Sequence, residues 1–327
     1  MNTLVPPIRI VFFGTSDVGI PSLELLATDQ QLEIVTVITQ PDRPVGRKQE
    51  LGISPVKQTA VRLGLPLLQF EDLKSKEAVE KLRTLNADLA VVVSFGQIIS
   101  QEILDLYPLG VLNVHPSLLP KYRGASPMAG AILAGETETG VSIMKMDALM
   151  DHGPVYTQIR ADIHPDDTTI TLSDRLAKQG GNLLLQTIHQ LVKNPALPSS
   201  EQDHTQATIV HRFTKEDGLL DWHKPALSLE RAIRAYQPWP GAYTIIEGKR
   251  LKVLAGALGP KTEHTAGTQL ISPEQDPMMA CGEATSLILT RVQPEGGNAM
   301  DGKTFLRGRP GWGSSSPAPL PSELRSA

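Results

Sequence analysis

Cysteine is scarce in this sequence, with one residue in 327. A single cysteine excludes an intramolecular disulfide and any zinc site built on paired cysteines, and it fits a reducing compartment. A run of about 18 or more apolar residues is also missing, which argues against a membrane span. The residues before Ile8 lack the basic and apolar segments of a secretory signal, so we expect a cytoplasmic protein.

Net positive charge is missing as well. The chain has 31 Lys and Arg against 35 Asp and Glu, a formal net charge of −4. This balance is typical of an ordinary globular protein and excludes a nucleic-acid binder that is basic over its whole surface. Any RNA partner would have to bind through a local basic surface. At about 100–200 residues per domain, the length predicts two domains.

The turn after the first predicted strand lacks phosphate-binding glycine motifs. It reads Gly14-Thr15-Ser16-Asp17-Val18-Gly19, which lacks the three-glycine spacing that brings a backbone against a pyrophosphate. We also expect the chain to have no Walker-type phosphate loop. Hydride transfer with a dinucleotide and phosphoryl transfer are therefore disfavoured.

Short apolar runs alternate with helical patterns over the first half of the chain. The predicted strands are 8–13, 33–38, 89–93 and 110–114. Ser54-Pro55 predicts the start of a helix that ends near Gly64. Buried strands that alternate with helices predict an α/β fold with a doubly wound, mostly parallel sheet. Ligands bind such sheets beyond the carboxyl ends of the strands.

Composition changes after a last predicted helix over 173–193. The polar, Pro- and Ser-rich stretch that follows predicts a linker at 195–212, between one domain at 1–194 and another at 213–310. In the second domain a short helix precedes several strand-like runs separated by turns, a pattern that favours a small β-barrel. The Ser- and Pro-rich residues 311–327 are predicted to be disordered.

The densest group of reactive side chains is Asn113-Val114-His115, at the end of a predicted strand. Alternate residues of a strand project to the same side, so the amide and the imidazole lie together. Acyl transfer uses such a pair, because an amide can stabilise an oxyanion and an imidazole can move protons near neutral pH. A hydrogen-bonded histidine that closes a strand is an equally weighted alternative.

Acidic residues follow a later strand pattern, in Asp147-Ala148-Leu149-Met150-Asp151-His152-Gly153. One carboxylate could orient His115, as the third member of a catalytic triad does. Acidic residues and glycine are also ordinary turn formers. With Asn113 and His115 they could form a mononuclear metal site, but the spacing is not diagnostic of metal ligands, and we expect no metal.

A polar loop from Gln40 to Glu50 carries three cations, Arg43, Arg47 and Lys48. It is too long for a simple turn between a strand and a helix. Either the loop is a solvated charged surface, or it contacts an anionic, extended partner such as RNA.

Taken together, these motifs resemble those of the methionyl-tRNA formyltransferase family, from Ile8 to about Arg309. The matching segments are Phe12–Thr15, Gln40–Arg47, Ser54–Lys57, Ser94–Gly96, Asn113–Pro120, Tyr122–Pro127, Thr139–Met144, Met146-Asp147, Asp151–Pro154, Leu220–Trp222, Arg231–Ala235 and Pro238–Pro240. The Asn-X-His run with a later Asp is shared by folate-dependent formyltransferases as a group. Within this group, the Pro-Asp-Arg-Pro loop and the second domain narrow the resemblance to the methionyl-tRNA formyltransferases.

The resemblance implies a Rossmann-like sheet of the formyltransferase type, followed by an OB-like β-barrel that binds tRNA. It implies 10-formyltetrahydrofolate as donor and the α-amine of initiator methionyl-tRNA as acceptor. We expect the protein to be a monomer. It assigns catalysis to Asn113, His115 and Asp151. The implied folate site comprises Ser94, Phe95, Gly96, Gln97, Ser117, Leu118, Leu119, Pro120 and Asp147, and the implied tRNA site comprises Arg43, Arg47 and Lys48.

Some residues depart from the family pattern. Gln49 and Glu50 stand where relatives usually have lysines, which weakens the electrostatic attraction of the loop for RNA. Three alternatives stay open: a formyltransferase that acts on the amine of a sugar nucleotide, a hydrolase of formyl-folate, and a non-catalytic RNA-binding protein with the same fold.

Overall fold

The computed structural model describes residues 6–45 and 50–313, which form two compact units. The first unit takes in the described residues up to Pro127 with Glu138–Asp162 and Ser173–Val210. The second takes in Met128–Thr137, Ile163–Leu172 and the described residues from His211 onward. The second unit resumes at His211, close to the predicted start at residue 213, whereas most of the segment predicted as a linker belongs to the first unit.

Strands and helices alternate in the first unit, and strands dominate the second. The strands are β1 (Ile8–Gly14), β2 (Leu32–Thr39), β3 (Arg43–Val45), β4 (Glu50–Gly52), β5 (Leu67–Gln69), β6 (Leu89–Val93), β7 (Val111–His115), β8 (Arg123–Gly124), β9 (Glu138–Lys145), β10 (Val155–Asp162), β11 (Ile209–Val210), β12 (Tyr243–Ile246), β13 (Lys249–Leu258), β14 (Gln269–Ile271), β15 (Pro277–Ala280), β16 (Ser286–Pro294) and β17 (Met300–Asp301). The helices are α1 (Ile20–Thr28), α2 (Pro55–Arg62), α3 (Lys76–Arg83), α4 (Gln101–Leu104), α5 (Pro127–Ala134), α6 (Thr169–Lys193), α7 (Ala226–Ala235) and α8 (Gly302–Arg307).

The first unit is built on a seven-stranded sheet in the order β10-β9-β7-β6-β1-β2-β5. The strands from β7 to β5 are parallel, while β9 and β10 pair antiparallel at one edge. The chain leaves β1 toward β2 and β5 and then crosses to β6. The order therefore reverses between β1 and β6, which opens a crevice at the carboxyl ends of these strands. This sheet confirms the predicted doubly wound, mostly parallel fold.

The apolar runs form strands because both faces of this sheet are covered. The side chains from Ile10 to Phe13 of β1 are fully buried, and so is nearly all of β6. Such continuous burial is typical of parallel strands. The predicted helix boundary also holds, since Ser54 Oγ accepts from the Lys57 N–H over 3.2 Å and Gly64 has a φ of +68° after the helix ends.

The second unit is built on six strands, ordered β12-β13-β16-β15-β14 with β17 beside β16, all paired antiparallel. Register shifts between β13 and β16 mark bulges, which bend strands as a small barrel requires. Trp222 is fully buried in the core and donates to Thr244 Oγ1 over 3.0 Å. The sheet agrees with the predicted small β-domain, although the sequence patterns did not reveal β15, β17 or α8.

The folded part of the second unit extends past the predicted end of the domain at residue 310. Trp312 is 4% exposed and packs edge-to-face on Phe305, with ring centroids 5.4 Å apart. The start of the expected disordered tail at residue 311 is therefore wrong by at least two residues. Residues 314–327 lie outside the described residues, and their disorder stays a prediction.

The expectation that the chain has no Walker-type spacing is wrong, because residues of the second unit from Gly297 to Thr304 match it. In the structure this segment leads into α8, which has six residues. The carboxylate of Asp301 accepts hydrogen bonds from the N–H and Oγ1 of Thr304, both over 2.8 Å. A carboxylate already caps this helix start, so the match does not provide a phosphate site.

Candidate active site

Asn113 and His115 lie at the carboxyl end of β7, at the edge where ligands bind in this fold. Asn113 pairs in register with Val92 of β6 and Met144 of β9, and His115 pairs with Ser142 of β9. The two residues are 9% and 4% exposed. Strand β7 ends at His115, one residue later than predicted, because β9 continues to pair with it.

Asp151 completes the group. Its Oδ1 atom accepts a hydrogen bond from Asn113 Nδ2 over 3.3 Å and lies 3.6 Å from His115 Nδ1. Its Oδ2 atom accepts from the Gly124 N–H over 2.7 Å. The structure thus brings together an amide, an imidazole and a carboxylate that come from two separate segments.

The contacts of His115 determine which ring nitrogen carries a proton. Nε2 lies 2.9 Å from the carbonyl oxygen of Tyr122, and a carbonyl oxygen only accepts, so Nε2 donates. Nδ1 is left facing Asp151 Oδ1. A proton taken up by Nδ1 would therefore be shared with the carboxylate, next to the donor group of Asn113.

Asp151 has an unusual backbone conformation, with a φ of +49°. This left-handed region costs a residue with a Cβ about 1–2 kcal/mol, so surrounding contacts must hold it there. Two residues later, a Cβ on Gly153 would come within 2.0 Å of the Lys145 carbonyl oxygen. The loop therefore packs closely against the end of β9, and this packing directs the carboxylate at the end of β7.

Asp147, the other carboxylate of the loop, stabilises the loop itself. One oxygen accepts from the Leu149 N–H over 2.9 Å and the other lies 2.7 Å from His152 Nδ1. Between the two carboxylates, Leu149 and Met150 are 60% and 56% exposed. The loop thus presents apolar surface, while its acidic residues are engaged in hydrogen bonds.

The run after β7, predicted to bind folate, divides into buried and accessible positions. Ser117 is fully buried and donates to the Lys121 carbonyl oxygen over 2.6 Å. Leu119 is also buried. Leu118 and Pro120 are half-buried, so these two side chains are the accessible ones.

Ser142 holds this run in place, although it belongs to none of the motifs predicted to form the site. Its Oγ donates to the Ser117 carbonyl oxygen over 2.6 Å and accepts from the Leu119 N–H over 3.1 Å. Gln158 Nε2 donates to the same Oγ over 2.8 Å. A lone hydroxyl within the apolar run of β9 was the signal that could have identified it, because buried polar groups need partners.

The loop after β6 lies at the point where the strand order reverses. Ser94 and Gly96 are exposed and both have a positive φ. Phe95 is 3% exposed, so its backbone rather than its ring can face a ligand. Gln97 is half-buried, and its Oε1 accepts from the Leu73 N–H over 2.9 Å, which anchors the end of the loop.

Three cations are predicted to bind tRNA, and one of them, Arg43, is among the described residues. Arg43 is exposed and forms an ion pair with Glu71 at the surface. Arg47 and Lys48 lie outside the described residues.

The start of the basic loop, which runs from Gln40 to Glu50, is held by polar contacts that no sequence motif predicted. Lys57 Nζ donates to Asp42 Oδ2 over 2.5 Å and to Gln69 Oε1 over 2.9 Å. Gln69 Nε2 donates in turn to the Gln40 carbonyl oxygen over 2.7 Å. The hydrogen bonds from Lys57 and Gln69 hold the pKa of Asp42 below its ordinary value.

Among the described residues, no group of three or more His, Cys, Asp or Glu side chains could hold a metal ion. No helix in the described ranges is long and apolar enough to span a membrane.

Known protein families match residues in both units. The family model described as formyl transferase matches residues 8–188, and the one described as formyl transferase, C-terminal domain, matches residues 212–310. A methionyl-tRNA formyltransferase from Chloroflexus aggregans is 42% identical over 302 residues, which cover 92% of this chain and 97% of the relative. One from a Roseiflexus species is 41% identical over 303 residues, with 92% and 93% covered.

A solved structure of similar fold is that of WlaRD, a sugar 3N-formyltransferase in the presence of dTDP and 5-N-formyl-THF. The TM-score is 0.62 at 19% sequence identity, and the match covers 88% of this chain and 97% of WlaRD. At this identity the likeness concerns the fold alone. The near full-length relatives and the two family models show that this chain belongs to the methionyl-tRNA formyltransferase family.

Proposed function

We propose that this protein transfers the formyl group of 10-formyltetrahydrofolate to the α-amine of initiator methionyl-tRNA, which gives N-formylmethionyl-tRNA for translation initiation. The observation that carries the proposal is the meeting of Asn113, His115 and Asp151 at the edge of the sheet. Activating a formyl carbonyl requires a donor for its oxygen and groups that move a proton. The activity named for the relatives supports the choice of substrates.

The chemistry assigns one role to each side chain. The neutral amine attacks the formyl carbon, and the amide of Asn113 donates to the oxyanion of the tetrahedral intermediate. Protonated His115 stabilises the oxyanion through its positive charge, because both of its ring nitrogens face oxygens of the protein. Asp151 holds the imidazolium and accepts the amine proton, directly or through water. The new C–N bond forms, the bond from the formyl carbon to the folate nitrogen breaks, and that nitrogen leaves with a proton. Holding both substrates in place contributes about 7–11 kcal/mol to catalysis.

The folate binds between the loop after β6 and the loop from Asp147 to Asp151. Ser94 and Gly96 offer backbone groups at an exposed position, and Leu118 and Pro120 offer accessible side chains. The buried Ser117, Leu119 and Phe95, together with Gln97, act indirectly by fixing these segments. The exposed apolar side chains between the two carboxylates can pack against the faces of the folate rings.

The tRNA binds through local basic surface, because the net charge of −4 supplies no overall attraction. The exposed position of Arg43 supports a contact from the basic loop, to which Arg47 and Lys48 also belong. The second unit contributes further tRNA contacts. The protein acts in the cytoplasm as a monomer. Light scattering of the free protein and of its complex with tRNA measures the number of protein chains in each.

Incubation with 10-formyltetrahydrofolate and methionyl initiator tRNA, followed by detection of formylmethionine after deacylation, tests the function. We expect formylation of the charged tRNA and of neither uncharged tRNA nor an amino-sugar nucleotide. Formylation of the sugar nucleotide, or release of formate without an acceptor, would overturn the proposal. Tight tRNA binding without turnover would identify a non-catalytic relative.

A further inference from the structure

Gln202 is buried directly behind Asp151, in the segment that the sequence predicts to be a linker. The residue is 7% exposed. Its Nε2 donates to the carbonyl oxygen of Asp151 over 2.9 Å and to that of Gly153 over 2.7 Å. The side chain therefore binds, at two points, the backbone of the loop that carries the carboxylate.

Arg123 determines how this amide is oriented. Its Nε and Nη2 donate to Gln202 Oε1 over 3.2 and 2.7 Å, and Arg123 is itself 7% exposed. A guanidinium group only donates and a backbone carbonyl only accepts, so the amide oxygen must face Arg123 and the amide nitrogen must face the loop. Both donors and both acceptor positions of the amide are used in this one orientation.

The residue after Arg123 contacts the other side of Asp151. Gly124 donates its N–H to Asp151 Oδ2 over 2.7 Å. Strand β8, formed by Arg123 and Gly124, pairs with β11, and the Arg123 N–H donates to the Thr208 carbonyl oxygen over 2.8 Å. The expected linker and β8 together thus hold Asp151 at its carboxylate and at its peptide group.

The same group of contacts extends to the second carboxylate of the loop. Arg123 Nη2 lies 2.8 Å from His204 Nδ1. The ring of His204 stacks on that of His152, with centroids 4.0 Å apart, and His152 Nδ1 lies 2.7 Å from Asp147 Oδ2. The loop is therefore supported by residues far from it in sequence at each of its acidic positions.

We propose that Gln202, oriented by Arg123, is a positioning residue for Asp151. Its two hydrogen bonds hold the loop in the conformation that directs the carboxylate at Asn113 and His115. The left-handed backbone at Asp151 is unfavourable for a residue with a Cβ, and the bonds to the two carbonyl oxygens offset that cost. This inference rests on the proposed function, because it assumes that Asp151 takes part in catalysis.

Gln202→Glu tests the role most sharply. The carboxylate preserves the size of the side chain and the partner of Arg123, but it cannot donate to two carbonyl oxygens. We expect kcat for formylation to fall about ten- to hundredfold, as misplacement of a catalytic group predicts. The KM for 10-formyltetrahydrofolate and the circular dichroism spectrum should stay close to those of the unsubstituted protein.

Gln237→Glu is the matched control. Gln237 Nε2 also donates to two backbone carbonyl oxygens, those of Ile233 and Leu254, over 3.1 and 2.9 Å. These residues belong to the second unit. Loss of this amide should leave kcat at saturating substrate unchanged.

Asp151→Asn separates positioning from a general effect on structure. In that background Gln202→Glu should lower kcat no further, because both changes act through one group. An equal additional loss, or an unchanged kcat in Gln202→Glu alone, would overturn the positioning role. An unchanged kcat in Asp151→Asn would instead overturn the catalytic role of Asp151 within the proposed function.

A second variant guards against a failure to fold. Gln202→Asn keeps the amide but is one methylene shorter, so it cannot reach Arg123 and both carbonyl oxygens together. It replaces Gln202→Glu in the same comparison if that variant does not fold, with the same expected loss of kcat. If neither variant folds, Gln202 is needed for the fold itself and the positioning role is rejected.

Discussion

At the scale of single residues, the site depends on nearly buried polar side chains at the end of β7 that are held by contacts within the protein. Asn113 uses its Nδ2 to donate to Asp151, while His115 is held at the opposite side of its ring by Tyr122. Removing one hydrogen-bond donor of the site should therefore lower kcat more than it lowers the stability of the fold.

Asn113→Ala removes the amide donor to the oxyanion. We expect kcat to fall about 10²–10³-fold, as for other lost oxyanion donors, with little change in the KM for the folate. Steady-state kinetics against both substrates measure this. Asn182→Ala is the control, because that amide is exposed and donates to the Lys178 carbonyl oxygen on its own helix. A kcat near that of the unsubstituted protein would remove Asn113 from the mechanism.

Cys281, the single cysteine, is 2% exposed, and burial raises the pKa of its thiol to about 12. The thiolate is the reactive form, so the native protein should resist alkylation at pH 8 over a time in which the unfolded protein is fully modified. Mass spectrometry with and without denaturant measures the difference. Rapid native labelling would contradict the burial of this residue.

At the scale of elements, two loops next to the sheet are held by contacts between segments distant in sequence. The basic loop is anchored where the end of β2, the start of α2 and β5 meet, through Asp42, Lys57 and Gln69. The loop from Asp147 to Gly153, the acidic loop, is anchored against β9 through Gly153.

The Asp42–Lys57 contact predicts a dependence of stability on pH. Lys57 lowers the pKa of Asp42 in the folded state below the ordinary value of 3.8. The stabilisation is therefore fully present above that ordinary value and is lost as the pH falls through the folded-state pKa. The difference in unfolding free energy between the unsubstituted protein and Asp42→Asn should be constant near neutral pH and shrink in acid.

Urea unfolding at a series of pH values measures this difference. Asp105→Asn serves as the control, because Asp105 is exposed and accepts from Gln101 on a short helix. A difference for Asp42→Asn that does not change with pH would contradict the assigned cause.

Gly153→Ala should disturb the acidic loop, because the added Cβ would come within 2.0 Å of the Lys145 carbonyl oxygen. We expect a lower melting temperature and a loss of kcat, since the loop carries Asp151. Gly308→Ala is the control, because its Cβ would have an ordinary contact of 3.5 Å. Thermal unfolding and formylation assays compare the two, and equal behaviour would show that the loop adapts.

At the scale of the whole molecule, a protein with a net charge of −4 must bind tRNA through a few local cations. Arg47→Ala should raise the KM for tRNA and reduce the salt dependence of tRNA binding, while the folate KM stays the same. Arg160→Ala is the control, because Arg160 is exposed and paired with Glu138. If the salt dependence of tRNA binding is unchanged in Arg47→Ala, the loop is a solvated surface that does not bind tRNA.

Much of the first unit could be predicted from local patterns. The apolar runs of β1 and β6 and the cap at Ser54 depend on residues close together in the chain, so their periodicity and spacing carry the information. The strands and helices of the second unit were harder to predict, because β15 and α8 are short and their burial depends on distant strands. Residues 195–210 were assigned to a linker although they belong to the first unit, because Pro- and Ser-rich composition does not reveal that Gln202 is buried.

The sequence by itself determined that Asn113 and His115 share one side of a strand end, since alternation along an extended backbone leaves no other arrangement. It also offered two carboxylates, Asp147 and Asp151, without distinguishing them. Only the tertiary structure decided that Asp151 faces the pair and that Asp147 stabilises its own loop. That choice depends on a left-handed backbone held by Gln202 and on packing against β9, and contacts between residues so far apart in the chain leave no periodic trace in it.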